Sequence, residues 1–106
     1  MHVIAKGRFI VAANKHPSDA KAIMGVYSVL NKGSFENVEK LKGIFKSVER
    51  FKYLDNAYVI DIAGNNIRLI AIIFFKTQKL FVKYVVDHKE YDKLTKRYRS
   101  GEVGWP

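Results

Sequence analysis

The sequence predicts an α+β domain: N-terminal helices packed on one face of an antiparallel sheet, with a short C-terminal helix. Three observations carry this expectation. The first half repeats its apolar residues at helical spacing, the second half switches to strand-like runs, and short clusters of turn residues separate those runs. At 106 residues the chain has room for one modest core, so residues 1–106 are expected to form a single domain.

The helices come first. Lys6–Lys15 places Phe9, Ala12 and Ala13 on one side, and Pro17 ends it. Ser18 suits the N-cap of a second helix, Asp19–Asn31, in which Ala20, Ile23, Met24, Tyr27 and Leu30 recur at helical spacing. Gly33 stands where a helix-ending glycine belongs. "FENVEKLKGIF" predicts a shorter third helix with Leu41 and Phe45 turned inward. The strands follow: 57–62 ("AYVIDI"), 67–75 ("IRLIAIIFF", apolar enough for a central strand) and 80–87 ("LFVKYVVD"). "AGNN" and "KTQK" are the turns between them. A basic helix over about 89–97 precedes the polar tail "SGEVGWP", and a short first strand at His2–Ile4 completes the layout.

Closing both hairpins sets residue 62 opposite 67 and 75 opposite 80. Alternation along the strands then sorts the side chains by face. One predicted face runs from Tyr58, Ile60 and Ile62 through Leu69, Ala71, Ile73 and Phe75 to Leu80, Val82, Tyr84 and Val86. It is wholly apolar or aromatic and awaits the helices. The other carries Asp61, Arg68 and Asp87 in one cross-strand row, with Lys83 on the same face. Arg68 is the one charge inside a central apolar strand, and burying it unpaired would be costly. Flanking carboxylates would satisfy its donors and also hold the guanidinium ready for a phosphate.

Charge narrows the function classes. Nineteen Lys/Arg against ten Asp/Glu give a formal net charge of +9 and a pI of about 9.8, divided nearly evenly between the two halves. A folded body of that kind suits a polyanion, nucleic acid first. With no cysteine, thiolate nucleophiles, disulfides and cysteine-type zinc sites are excluded. The longest apolar run, 69–75, is too short to span a membrane, and the first residues lack a signal peptide's apolar core. A soluble cytoplasmic protein is expected. There is no glycine-rich phosphate loop, no HExxH and no Gly-x-Ser-x-Gly.

The remaining chemistry sits in "VVDHKEYDKL" (85–94). His88 follows the last strand and Tyr91 lies three residues on, so a helix would give them neighbouring positions. An imidazole and a phenol beside Arg68 suit RNA cleavage, one moving the 2′-OH proton and the other protonating the departing 5′-oxygen. Two rivals are a non-catalytic basic RNA- or DNA-binding module and a protein-interaction domain for an acidic partner. His2 and His16 read as surface residues.

"AGNNIRLIAIIFFKTQKLFVKYVVDHKEYD" (63–92) resembles the HigB-type toxins of bacterial toxin–antitoxin pairs. Their pattern is a Gly-Gly-Asn turn, a strand opening with arginine, a basic residue on the next strand, and a closing Thr-His-x-Glu-Tyr-Asp. It appears here as Ala63-Gly64-Asn65, Arg68, Lys83 and Asp87-His88-Lys89-Glu90-Tyr91-Asp92, with Ala63 and Asp87 as departures. The resemblance implies a RelE-like fold and a metal-independent, cofactor-free endoribonuclease that cuts mRNA on the translating ribosome. It also implies a HigA-type helix-turn-helix antitoxin as partner. Carried onto this chain, it makes Arg68, His88 and Tyr91 the catalytic candidates and Lys83 an RNA contact. Lys52, Tyr53 and Lys76 join as outer RNA contacts by position and chemistry.

Overall fold

The computed structural model describes residues 1–102. Five strands form one mixed sheet in the order β1-β5-β4-β3-β2: β1 His2–Ile4, β2 Glu49–Arg50, β3 Ala57–Ile62, β4 Ile67–Phe74 and β5 Lys79–Asp87. The helices are α1 Lys6–Lys15, α2 Ala20–Lys32, α3 Val38–Ile44 and α4 His88–Arg99. The α+β class is borne out. Strands β2 to β5 are antiparallel, but β1 joins β5 in parallel, His2 opposite Lys79 and Ile4 opposite Phe81. A three-residue strand has too little pattern to announce its direction. The tail from 103 onward lies outside the described residues.

The predicted helical stripes form the core. Phe9, Ala12, Ala13, Ile23, Leu30 and Leu41 are buried against Ile60, Ile62, Leu69, Ala71, Ile73, Leu80 and Val82 on one sheet face. Ser18 does not cap α2. Instead, Pro17–Asp19 forms a turn of 3-10 helix and α2 starts one residue later than expected, at Ala20. Proline's fixed φ favours that tight opening. Gly33 does end α2, but in an extended conformation (φ −82°, ψ 166°) rather than a left-handed one. Its reason is space: a Cβ there would stand 2.7 Å from the Phe35 ring and 2.9 Å from the Val29 carbonyl oxygen. At the β3–β4 turn, Ala63 takes a φ of 55°, a left-handed conformation that glycine adopts at no steric cost.

Register is where the prediction and the structure part. The β3–β4 hairpin closes as expected, with Ile62 opposite Ile67 and Asp61 opposite Arg68. At the β4–β5 tip, Phe74 faces Lys79 and Ile73 faces Leu80, a shift of two residues from the expected pairing of 75 with 80. Gln78 accounts for it. Its φ is 54°, and its side-chain amide donates to the carbonyls of Phe35 (2.6 Å) and Phe75 (2.7 Å), pinning the turn one residue earlier. A two-residue shift keeps every side chain on its face.

A bulge does not. Ala71 faces Val82 but Ile70 faces Tyr84, so Lys83 is an additional residue in β5. Beyond it the alternation reverses. Tyr84 and Val86 sit opposite Ile70 and Arg68, on the face away from α1 and α2, while Asp87 sits opposite Ile67. The expected row of Asp61, Arg68 and Asp87 is therefore corrected: Val86 takes the third place. Asp87 instead caps α4, accepting a hydrogen bond from the Glu90 N–H at 2.8 Å.

The second face has its own small core. Leu94 and Tyr98 of α4 pack with Phe51, Leu54, Ala57, Val59, Ile70 and Ile72. The Tyr84 and Tyr98 hydroxyls share a hydrogen bond of 2.9 Å. Helix α4 is longer than expected because Leu94 and Tyr98, four residues apart, anchor its second half. As a test of packing at the end of α2, Gly33→Ala should lower stability by about 1–3 kcal/mol. A urea denaturation midpoint equal to that of the parent would contradict this.

Candidate active site

The first residue of the site is positioned by the sheet. Arg68 lies second in β4, with Asp61 directly across in β3. The Asp61 carboxylate stands 3.6 Å from the Arg68 Nε, an ionic contact too long for a hydrogen bond. That Nε is buried and lacks a hydrogen-bond acceptor among the described residues. Only 18% of the side chain reaches solvent, so the guanidinium is held at the face rather than waving above it. Asp61 in turn is braced by its main-chain N–H, which donates to the Ser47 hydroxyl at 3.0 Å.

The second residue comes from α4. Tyr91 lies over the guanidinium, 4.5 Å from ring centroid to Cζ, a cation–π contact. Its other neighbour is Phe51, edge-on at 6.4 Å. Burial above all pushes the Tyr91 phenol above the ordinary tyrosine value, against the opposing pull of Arg68. The phenol is therefore protonated at neutral pH and available as a donor.

His88 occupies the first turn of α4. Its main-chain N–H donates to the Asn66 carbonyl at 3.2 Å, tying the helix start to the β3–β4 turn. The imidazole is 57% exposed, with Nε2 3.6 Å from an Asp92 carboxylate oxygen. No hydrogen bond or ion pair joins it to Arg68 or Tyr91 among the described residues. Thus Arg68 and Tyr91 are in contact, and His88 stands one helical turn before Tyr91 on the open end of the same segment.

Beside Tyr91 a cleft of about 340 Å³ opens between α4 and the segment after β2. Tyr91, Thr95 and Arg99 line one wall, and Glu49, Arg50, Phe51, Lys52 and Tyr53 the other. Lys52 and Tyr53, expected as outer contacts, are brought here, with the Lys52 ammonium 5.3 Å from the Tyr53 ring. The Arg99 Nε donates to the Tyr53 hydroxyl at 3.3 Å, and this bond is the main reason that the phenol falls below its ordinary value. Lys83 is the bulge residue, its ammonium 5.8 Å from the Tyr84 ring. Lys76 is not brought to the cleft. It lies beyond the far end of β4, eight residues and roughly 26 Å of strand from Arg68. Arg50, Thr95 and Arg99 were missed in the sequence. The four-residue spacing of Tyr91, Thr95 and Arg99 was the available signal.

A family model described as "HigB_toxin, RelE-like toxic component of a toxin-antitoxin system" matches residues 19–94. The chain is 41% identical over 102 residues to the mRNA interferase HigB of Escherichia coli O6:H1, covering 96% of this chain and 99% of that protein. It is 38% identical over 100 residues to the mRNA interferase toxin HigB of Escherichia coli K12 and to the mRNA interferase HigB of Shigella flexneri, covering 94% of this chain and 96% of each. The chain belongs to the HigB toxin family.

The Tyr91 and Tyr53 phenols can be told apart by ultraviolet difference titration. Tyr91→Phe should remove a phenol that ionises above the usual tyrosine range, and Tyr53→Phe one that ionises below it. Removing Arg68 should move the Tyr91 titration further upward, because the cation favours phenolate. The folded state holds the Tyr91 proton more tightly than the unfolded chain does. Its contribution to stability is therefore full below the ordinary tyrosine value and is lost as pH rises through the folded value. A spectrum in which Tyr91→Phe removes the lowest-pH component would refute the assignment.

Proposed function

We propose that this chain is the toxin of a type II toxin–antitoxin pair and an endoribonuclease that cuts mRNA, with the centre of its site at Arg68 and Tyr91. One observation carries the reading. In a chain of the HigB family, a guanidinium anchored by Asp61 lies against a protonated phenol beside a cleft that carries Arg50, Lys52 and Arg99. That combination suits a phosphodiester whose negative charge grows as it reacts.

In the step proposed, the 2′-oxygen of one nucleotide attacks the adjacent phosphorus. A P–O2′ bond forms, the P–O5′ bond breaks, and the products are a 2′,3′-cyclic phosphate and a 5′-hydroxyl. Arg68 offsets the charge on the phosphorane oxygens. Tyr91 donates its proton to the departing 5′-oxygen, which suits a phenol kept protonated by burial. His88, on the open first turn of α4, accepts the proton from the 2′-OH, and Asp92 stabilises the imidazolium that forms. No metal is required in this scheme, because the guanidinium supplies the positive charge and side chains move both protons. Cleavage on the translating ribosome, a HigA-type helix-turn-helix antitoxin as the neutralising partner, and action in the cytoplasm complete the proposal. The family and its relatives' names support toxin action and mRNA cutting; these finer points rest on the resemblance.

Induction of the chain without its antitoxin should arrest growth and leave cuts within translated frames, read by primer extension. Arg68→Ala should lower cleavage about 10²–10³-fold and Tyr91→Phe or His88→Ala about 10²-fold or more, with RNA affinity reduced far less. A non-catalytic binder would show intact messages throughout. RNA retention should also weaken steeply with added salt.

A further inference from the structure

Phe74 and Phe81 form an exposed aromatic pair that the site above does not use. Phe74 follows Arg68, Ile70 and Ile72 at two-residue spacing and so shares their face, and Phe81 sits opposite Ile72 on the neighbouring strand. The rings are 5.9 Å apart and nearly perpendicular, 41% and 36% exposed. Leu94 and Tyr98 of α4 pack in the cluster that holds Ile70 and Ile72, and the two phenylalanines are outside that cluster. Six residues separate Arg68 from Phe74, roughly 20 Å along β4, so the pair stands several nucleotides from the proposed point of cleavage.

The surroundings indicate what covers it. Lys79 is directly across from Phe74, His2 is beside Lys79 on β1, and Lys76 is in the adjoining turn. None of the three has an ion-pair partner among the described residues. A surface that buries against a protein partner loses its charges toward the centre and keeps a broad apolar core. Here two rings are set among cations instead. That pairing of π-faces with positive charge matches a single-stranded nucleic acid, whose bases stack and whose phosphates need neutralising.

We propose that Phe74 and Phe81, with Lys76 and Lys79, form a stacking platform for bases of the same RNA strand that is cut at Arg68 and Tyr91. The proposal rests on the RNA-cutting reading for the identity of the strand. It gives Lys76 a role at the opposite end of the sheet from the cleft, and it makes affinity depend on strand length: a short RNA reaches one site, a longer one both.

The test uses 2′-O-methyl RNA, which lacks the attacking hydroxyl, so that binding is read without cleavage. A fluorescent trinucleotide and a strand of about 12 nucleotides, within the site sizes known for single-strand grooves, are titrated against the protein. They are titrated also against the Phe74→Leu/Phe81→Leu double variant, which keeps apolar volume and removes the ring faces. The variant should bind the longer strand roughly tenfold or more weakly and the trinucleotide as the parent does. Lys76→Ala/Lys79→Ala should reduce the salt dependence of long-strand binding. Unchanged long-strand affinity in the leucine variant overturns the platform alone and leaves the cleavage reading standing. A parent protein that retains no RNA overturns both. Leucine substitutions that release the antitoxin while RNA binding persists would make the pair a protein-docking surface, and the platform would again be wrong.

Discussion

One additional residue in β5 decides how the site is built. Without the bulge at Lys83, strand alternation would carry Tyr84 and Val86 to the helix-covered face and turn Val85 and Asp87 to the face of Arg68. With it, Tyr84 turns to the opposite face, where its hydroxyl meets that of Tyr98 and helps hold α4 against the sheet. Asp87 turns away from the face of Arg68 and caps the same helix. A reversal of side-chain direction thus places α4, and α4 places Tyr91. Bulges recur beside functional sites because they can re-aim side chains without disturbing the rest of the ladder.

The consequence for Arg68 is electrostatic. Two flanking carboxylates would satisfy a guanidinium and compete with a phosphate for it. Among the described residues, Arg68 is ion-paired with Asp61 alone, at 3.6 Å, and the Tyr91 ring lies on the guanidinium. A half-buried cation in that position contributes little to stability, since desolvation offsets much of the ionic attraction. Its Nε, without an acceptor among the described residues, adds to the cost. Retaining such a residue in an apolar strand makes physical sense where a ligand supplies the missing negative charge, and the HigB family provides that context.

The proposed function divides affinity and chemistry between different parts of the molecule. The formal charge of +9 is spread over both halves of the chain, whereas the Arg68–Tyr91 contact is local and partly withdrawn from water. Solvated lysines such as Lys52 and Lys76 lose their effect as salt rises, because the screening length around exposed charges falls from about 10 Å at 0.1 M salt to about 3 Å at 1 M. The shielded guanidinium is less affected. The cleft residues between these extremes, Tyr53 and Arg99, are tied to each other and shape the wall as much as they charge it.

Much of this was legible in the chain. Helical spacing marked the faces of α1, α2 and α3, the apolar run from Ile67 marked the central strand, and closure of a short turn placed Asp61 opposite Arg68. Such features depend on local geometry, which repeats every 3.6 or 2 residues and is written into residue order. The combined pattern of the 63–65 turn, Arg68, Lys83 and the 87–92 segment marked the HigB resemblance. What the tertiary structure decided was anything that depended on a count being broken or on distant segments meeting. The bulge at Lys83, the Gln78-pinned turn, the parallel entry of β1 and the meeting of Arg99 with Tyr53 leave no periodic trace. Each follows from which arrangement buries the most apolar surface with its polar groups satisfied, a comparison that only the folded chain can make.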